Sequence, residues 1–173
     1  GAMRPAGLVT VCNDIVLNDR RRIVELGSGI STVLLARLLT QRALPGGFLM
    51  AVVEHDDFWA QWVGEQLDRE GTGTDLTVVR SALTPHPRAE RGLRWYDEAA
   101  LADGLREALQ GDPIDLLVVD GYEDETTPAA MVSQAFFDAA WCALEEPGAL
   151  VMNVMDDDTA LDRHLQRLEH AFG

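Results

Sequence analysis

Two kinds of hydrophobic pattern alternate along the chain. Uniform apolar runs of five to seven residues recur at Arg22–Leu26, Phe48–Glu54, Leu76–Arg80, Ile114–Val119 and Ala149–Val154. Their length and flanking turns predict strands. The Phe48–Glu54 run is too uniform for a solvent-facing sheet and reads as buried on both faces. Between the runs, apolar residues recur at helical spacing. Leu8, Val9, Val11, Cys12, Ile15 and Val16 make one stripe in Pro5–Leu17, and Phe58, Trp59, Trp62, Val63 and Leu67 make another behind a cap at Asp56 or Asp57. Further helices are predicted from Ser31 to about Gln41 with Ser31 or Thr32 as cap, from about Glu98 to Leu109, over Thr127–Leu144 with Pro128 in the first turn, and over Asp158–Phe172. Turn residues separate them at Asn18–Arg22, Pro45-Gly46-Gly47, Gly71–Thr74, Gly111-Asp112-Pro113 and Pro147-Gly148. Thr84–Arg94, with two prolines, reads as a polar loop long enough to be functional. Strand alternating with helix predicts an α/β fold, a doubly wound parallel sheet covered on both faces.

Composition narrows this picture. A chain of 173 residues with 47% hydrophobic residues is expected to form one domain with a substantial core. Gly1-Ala2-Met3 reads as a protease-cleavage remnant, which places that domain at residues 4–173. The formal charge is −15 and all 14 basic residues are arginine. Without lysine there is no Schiff-base or Walker chemistry, and such acidity argues against a nucleic-acid partner. No run approaches a membrane span and no signal peptide precedes the first strand, so a cytoplasmic protein is expected. Cys12 and Cys142 are isolated and read as reduced, buried thiols.

The first strand runs into Gly27-Ser28-Gly29 and then into a helix, the unit whose bare backbone N–H groups meet a polar ligand. Gly27 and Gly29 let the backbone approach that ligand closely. A dinucleotide fingerprint would have glycine at position 32, where Thr32 stands. Glu25 would repel a pyrophosphate and attract an ammonium group.

Val24-Glu25-Leu26-Gly27-Ser28-Gly29 resembles the first motif of class I S-adenosylmethionine (SAM)-dependent methyltransferases. The likeness continues through Val53-Glu54-His55-Asp56, Ser81-Ala82-Leu83, Trp95-Tyr96-Asp97 and Leu117-Val118-Val119-Asp120-Gly121. The resemblance implies a Rossmann-like sheet of strand order 3-2-1-4-5. The family's terminal antiparallel hairpin of strands six and seven has no counterpart in the pattern. It also implies a SAM site built from Glu25, Gly27, Ser28, Gly29, Ser31, Thr32, Glu54, His55, Ser81, Ala82, Leu83, Asp120 and Tyr122, with Glu54 on the ribose hydroxyls. The partner it implies is a small-molecule methyl acceptor, with an oxygen acceptor preferred. Part of the chain, from Asp120 to Asn153, also resembles spermidine synthase-like aminopropyltransferases, and a non-catalytic nucleotide-binding module is a third reading.

On the acceptor side Asp120 is the candidate catalytic residue, as general base or metal ligand; its alternative role is to cap a turn with Gly121. Asp120 with Asp156 or Asp157 resembles the Mg²⁺ site of catechol-type O-methyltransferases, and oxygen ligands suit that ion. Helix capping by Asp158 or Thr159 is the simpler account of the same acids and is favoured. His86 could serve as a base, although a solvent-exposed loop histidine is the commoner outcome. Strand five would be an open sheet edge, which predicts cover by a partner subunit, as in a homodimer, or by rearranged chain.

Overall fold

Each apolar run can bury both faces only inside a sheet that is itself covered on both sides, and the chain solves this with one parallel sheet. The computed structural model describes residues 3–72, 75–85, 94–121, 127–154 and 158–173. Five strands, β1 (Arg22–Leu26), β2 (Leu49–Glu54), β3 (Leu76–Arg80), β6 (Ile114–Val119) and β7 (Leu144–Met152), form the sheet in the order β3-β2-β1-β6-β7. All four pairings are parallel. Period-two alternation divides the apolar side chains between two cores. Ile23, Met50, Val52, Leu116 and Val118 face α1 (Pro5–Leu17), α2 (Ile30–Arg42) and α3 (Asp57–Glu70). Val24, Ala51, Val53, Leu117 and Val119 face α4 (Glu98–Ala108), α5 (Gln134–Ala143) and α6 (Asp158–Phe172). Among the described residues no helix is long and apolar enough to cross a membrane. Of the two cysteines expected to be buried, Cys12 is half-buried against the first core and Cys142 is exposed, because helical spacing does not say which face of α5 meets the sheet.

The strand order departs from 3-2-1-4-5 because two more strands intervene. β4 (Leu83–Pro85) and β5 (Arg94–Tyr96) pair antiparallel, with Thr84 opposite Trp95, so the sheet reads 3-2-1-6-7 in chain order. The polar loop expected over Thr84–Arg94 is corrected accordingly. Threonine, tryptophan and tyrosine suit a pleated surface, and prolines hid that signal. An antiparallel hairpin is therefore present, in mid-chain rather than after the last parallel strand.

Three boundaries also move. Gly29, not Ser31 or Thr32, is the residue before α2, and its N–H donates to Thr32 Oγ1 at 3.1 Å. The single helix expected over Thr127–Leu144 is a 3-10 turn at Ala129–Val132 followed by α5, because Ser133 turns extended and its Oγ accepts from the Phe136 N–H at 3.2 Å. β7 starts at Leu144 and passes through Pro147-Gly148, since Pro147 sits where the register with β6 shifts on an edge strand.

Strand order reverses between β1 and β6, the place where open sheets of this kind bind ligands. The hydrogen-bond ladder runs past the strand ends there. Gly27 N–H donates to the Val53 carbonyl at 2.9 Å, Asp120 N–H to Leu26 at 2.9 Å, Asn153 N–H to Val119 at 2.9 Å and Ser81 N–H to Glu54 at 3.0 Å. Glu54, Gly27, Ser81, Asp120 and Asn153 are thereby placed along one edge.

Candidate active site

At this edge the backbone makes room before any side chain acts. Gly27 has φ of +89°, and a Cβ there would lie 2.8 Å from the Asp120 carbonyl oxygen. The two strand ends meet too closely for any other residue. A cleft of ≈ 960 Å³ opens above them, lined among others by Gly27, Ser28, Gly29, Ile30, Glu54, His55, Leu83, Trp95, Tyr96 and Asp120.

Three carboxylates converge beneath or beside this cleft, each held by different donors. Glu25 is fully buried. Its Oε1 accepts from Ser31 Oγ at 2.7 Å and its Oε2 from Thr32 Oγ1 at 2.7 Å. Burial pushes the Glu25 carboxyl up to about 7; the two hydroxyls oppose the shift, and the charges of Asp120 and Glu54 add to it. Glu54 is also buried, with Oε2 accepting from Ser28 N–H and Ser28 Oγ, both at 2.8 Å. Its Oε1 accepts from the N–H groups of His55 and Asp56, both at 2.8 Å, with His55 Nδ1 at 3.3 Å. Asp120 accepts from Asn153 Nδ2 at 2.8 Å through Oδ1, and from Met3 N–H at 3.2 Å and Ser31 Oγ at 3.3 Å through Oδ2. Met3, set aside in the sequence reading, is buried in the first core.

The predicted residues divide into three groups. Gly27, Ser28, Gly29, Glu54, His55, Leu83 and Asp120 line the cleft. Glu25, Ser31 and Thr32 stand behind it as one hydrogen-bonded unit. Ser81 and Ala82 anchor the hairpin, Ser81 through Oγ to the Asp97 carbonyl at 3.3 Å and Ala82 by accepting from Asp97 N–H at 2.9 Å. Tyr122, Asp156, Asp157 and His86 lie outside the described residues.

Trp95 and Tyr96, part of the resemblance, line the cleft as well. Phe58, Trp59 and Trp62, predicted only as part of a helical stripe, also line it, with Phe58 67% and Trp59 46% exposed, while Trp62 packs against the first core as well. Their position just after the strand-end acid was the available signal. Tyr96 is buried beside His55, ring centroids 6.4 Å apart, and burial, with Glu54's charge second, raises its phenol above the ordinary range. Met131 closes the far side, within contact of Gly121.

Among the described residues no group of three or more His, Cys, Asp or Glu side chains is placed to hold a metal ion. Of the residues predicted to hold Mg²⁺, Asp120 is described, and Asp156 and Asp157 lie outside the described residues.

The chain matches no family model and no curated protein. Its fold is that of class I SAM-dependent methyltransferases. An O-methyltransferase from Bacillus cereus in complex with S-adenosylhomocysteine (SAH) superposes with a TM-score of 0.63 at 18% identity, over 98% of this chain and 68% of that one. The O-methyltransferase TomG from Streptomyces achromogenes, in complex with SAM and involved in tomaymycin synthesis, gives 0.62 at 16% identity over 98% and 69%. Cofactor-bound Rv0187 from MTB gives 0.60 at 21% identity over 97% and 68%.

Proposed function

We propose that this chain is a SAM-dependent methyltransferase acting on a small-molecule oxygen acceptor, with residues 4–173 as its single domain. The observation that carries the reading is the meeting of Glu54 and Asp120 in one cleft, with Glu25 buried behind it and within range of both charges, around the Gly27–Gly29 turn. Carboxylates gathered in a poorly solvated place repel one another and favour a cationic ligand. SAM fits that demand, since it carries an ammonium and a sulfonium, and when bound it supplies the electrophilic methyl group. The structures of TomG with SAM and of the Bacillus cereus enzyme with SAH support the same ligand.

The protein's own part is chiefly to hold reactants in line. Glu25, kept in place by Ser31 and Thr32, supplies negative charge under the Gly turn for the ammonium end. Glu54 receives the ribose. Asp120, fixed by Asn153 and the Met3 N–H, is the acceptor-side base that takes a hydroxyl proton as the new bond forms. Phe58, Trp59, Trp95 and Tyr96 give the cleft an aromatic wall against which an adenine ring can pack.

Calorimetric titration with SAM, SAH and decarboxylated SAM tests the reading. SAM and SAH should bind at micromolar levels or tighter, and decarboxylated SAM more weakly. Preference for decarboxylated SAM would instead support aminopropyl transfer, and failure to bind any of the three would overturn the proposal.

A further inference from the structure

We infer that the methyl acceptor is a hydroxyarene carrying a carboxylate, and that Arg94 on the rim of the cleft reads that carboxylate. This rests on reading the cleft as a methyltransferase site and adds the class of acceptor. Arg94 is the one arginine among the described residues that line the cleft, and the chain has no lysine. The same lining carries three acids, Glu54, Asp56 and Asp120. An anionic acceptor is repelled by such a surface unless a fixed cation meets it. With 29 acidic residues against 14 arginines, carboxylates are plentiful in this chain, and other arginines take them. Arg20 lies 2.8 Å from Asp14, Arg22 2.9 Å from Asp112 and Arg42 2.9 Å from Asp19. Arg94 is exposed and meets no carboxylate among the described residues; its Nη2 donates to the Leu83 carbonyl across the β4–β5 pair. That bond ties the guanidinium to the edge of the cleft. A guanidinium has five N–H donors in a fixed fork, so four remain for a ligand, in the geometry that grips a carboxylate with two parallel bonds.

Two ligands could bring a carboxylate here, and position favours the acceptor over SAM itself. The carboxylate of SAM travels with its ammonium, at the Gly27–Gly29 turn that leads into α2, and α2 packs in the first core. The β4–β5 pair belongs to the opposite face of the sheet. Tyr96 is buried in the second core, and Trp95 packs against that core, its ring 5.6 Å from that of Phe136. Met131 lies in the second core too, in contact range of Gly121, the residue after Asp120. Arg94 and Asp120 therefore border the cleft with the apolar side chains of one core between them. Trp95 and Met131 both line this stretch, and an aromatic ring packs well on such a surface. An acceptor lying along it presents a hydroxyl to Asp120 at one end and a carboxylate to Arg94 at the other. Holding the anion at the rim also keeps it away from Asp120, whose charge would repel it.

The test uses the full chain saturated with SAH, as wild type, Arg94→Gln and Arg94→Lys. Each is titrated at pH 7.5 with 3,4-dihydroxybenzoate and with catechol, which differ only in the carboxylate, and binding is read by calorimetry. The wild type should bind the acid at least about tenfold more tightly than catechol, the effect of a charge-assisted pair. Arg94→Gln should bind the acid no better than catechol, and Arg94→Lys should keep part of the preference, since it retains the charge without the fork. SAH affinity, measured first for each protein, should change less than about twofold, because the cofactor does not use Arg94. Equal affinity of the wild type for the two compounds, no binding of the acid, or a preference that survives in Arg94→Gln would overturn the inference while leaving the SAM site standing. A loss of SAH affinity in Arg94→Gln with the preference for the acid intact would overturn it too, by giving Arg94 to the carboxylate of the cofactor. A wild-type protein that does not bind SAH would overturn both this inference and the reading on which it rests.

Discussion

Glu25 and Glu54 lie at or next to the ends of neighbouring strands, Glu54 in the cleft and Glu25 behind it, but they are held in opposite ways. Glu54 takes three of its four close hydrogen bonds from backbone N–H groups, in the Gly turn and at the start of α3. Glu25 takes both of its bonds from hydroxyls, Ser31 and Thr32, one turn into α2. Backbone donors are aimed by the fold itself and stabilise the ionised form of a carboxylate. Two hydroxyls do not compensate complete burial, so the Glu25 carboxyl titrates at about 7. Glu54 is thus positioned by the backbone, and Glu25 holds a charge that a cationic ligand can draw out.

The largest expected effect breaks the pair at Glu25. Its folded pKa, about 7, lies above the ordinary 4.5, so the native state holds a proton that the unfolded chain has released. The stability this contributes is complete below about pH 4.5 and is lost as pH rises through about 7. The loss is of the order of 3 kcal/mol for a fully buried group. Urea melts from pH 5 to 8 should therefore show falling stability for the wild type and a flatter profile for Glu25→Gln. Parallel profiles would place the Glu25 titration elsewhere.

Glu54→Ala comes next. It removes the carboxylate proposed for the ribose and leaves the Ser28, His55 and Asp56 N–H groups without their acceptor, so SAH should bind at least about tenfold more weakly in calorimetry. Equal affinity would remove Glu54 from the site. The smallest effect is expected at His55. Its ring is 43% exposed and approaches Glu54 only at 3.3 Å, whereas its backbone N–H holds the carboxylate in any variant. His55→Ala should change SAH affinity less than about threefold, close to the range of an exposed pair. A loss as large as that of Glu54→Ala would show that the side chain, not the backbone, positions the acid.

The legibility of the chain follows the same division between local and distant causes. α1, β1, β3, β6 and α6 fall on the residues predicted, because each is bounded by its own turn or cap residues and carries an unbroken period. β2 is shorter by one residue, beginning at Leu49. The β4–β5 pair escaped notice because neither three-residue strand has a period of its own; each exists through the other. β7 was predicted to start after Pro147-Gly148, where turn chemistry is strong locally, but pairing with β6 carries the strand back to Leu144. At the site, Gly27, Glu54 and Asp120 were legible as strand-end residues in a recurring order. Phe58 and Trp59 were not, since helical spacing says that residues share a face and is silent on what that face meets.

By itself, then, the sequence determined the parallel α/β alternation, the Gly turn and the acids at the strand ends, all of which are written in periods and spacings shorter than one element. Tertiary structure alone decided which donors each acid receives. Ser28 and Glu54 are 26 residues apart, Met3 and Asp120 are 117 apart, and both pairs meet only because the sheet orders its strands β2-β1-β6. Hydrogen bonds act over about 3 Å, so their partners are chosen by where strands lie and not by how far apart residues stand in the chain.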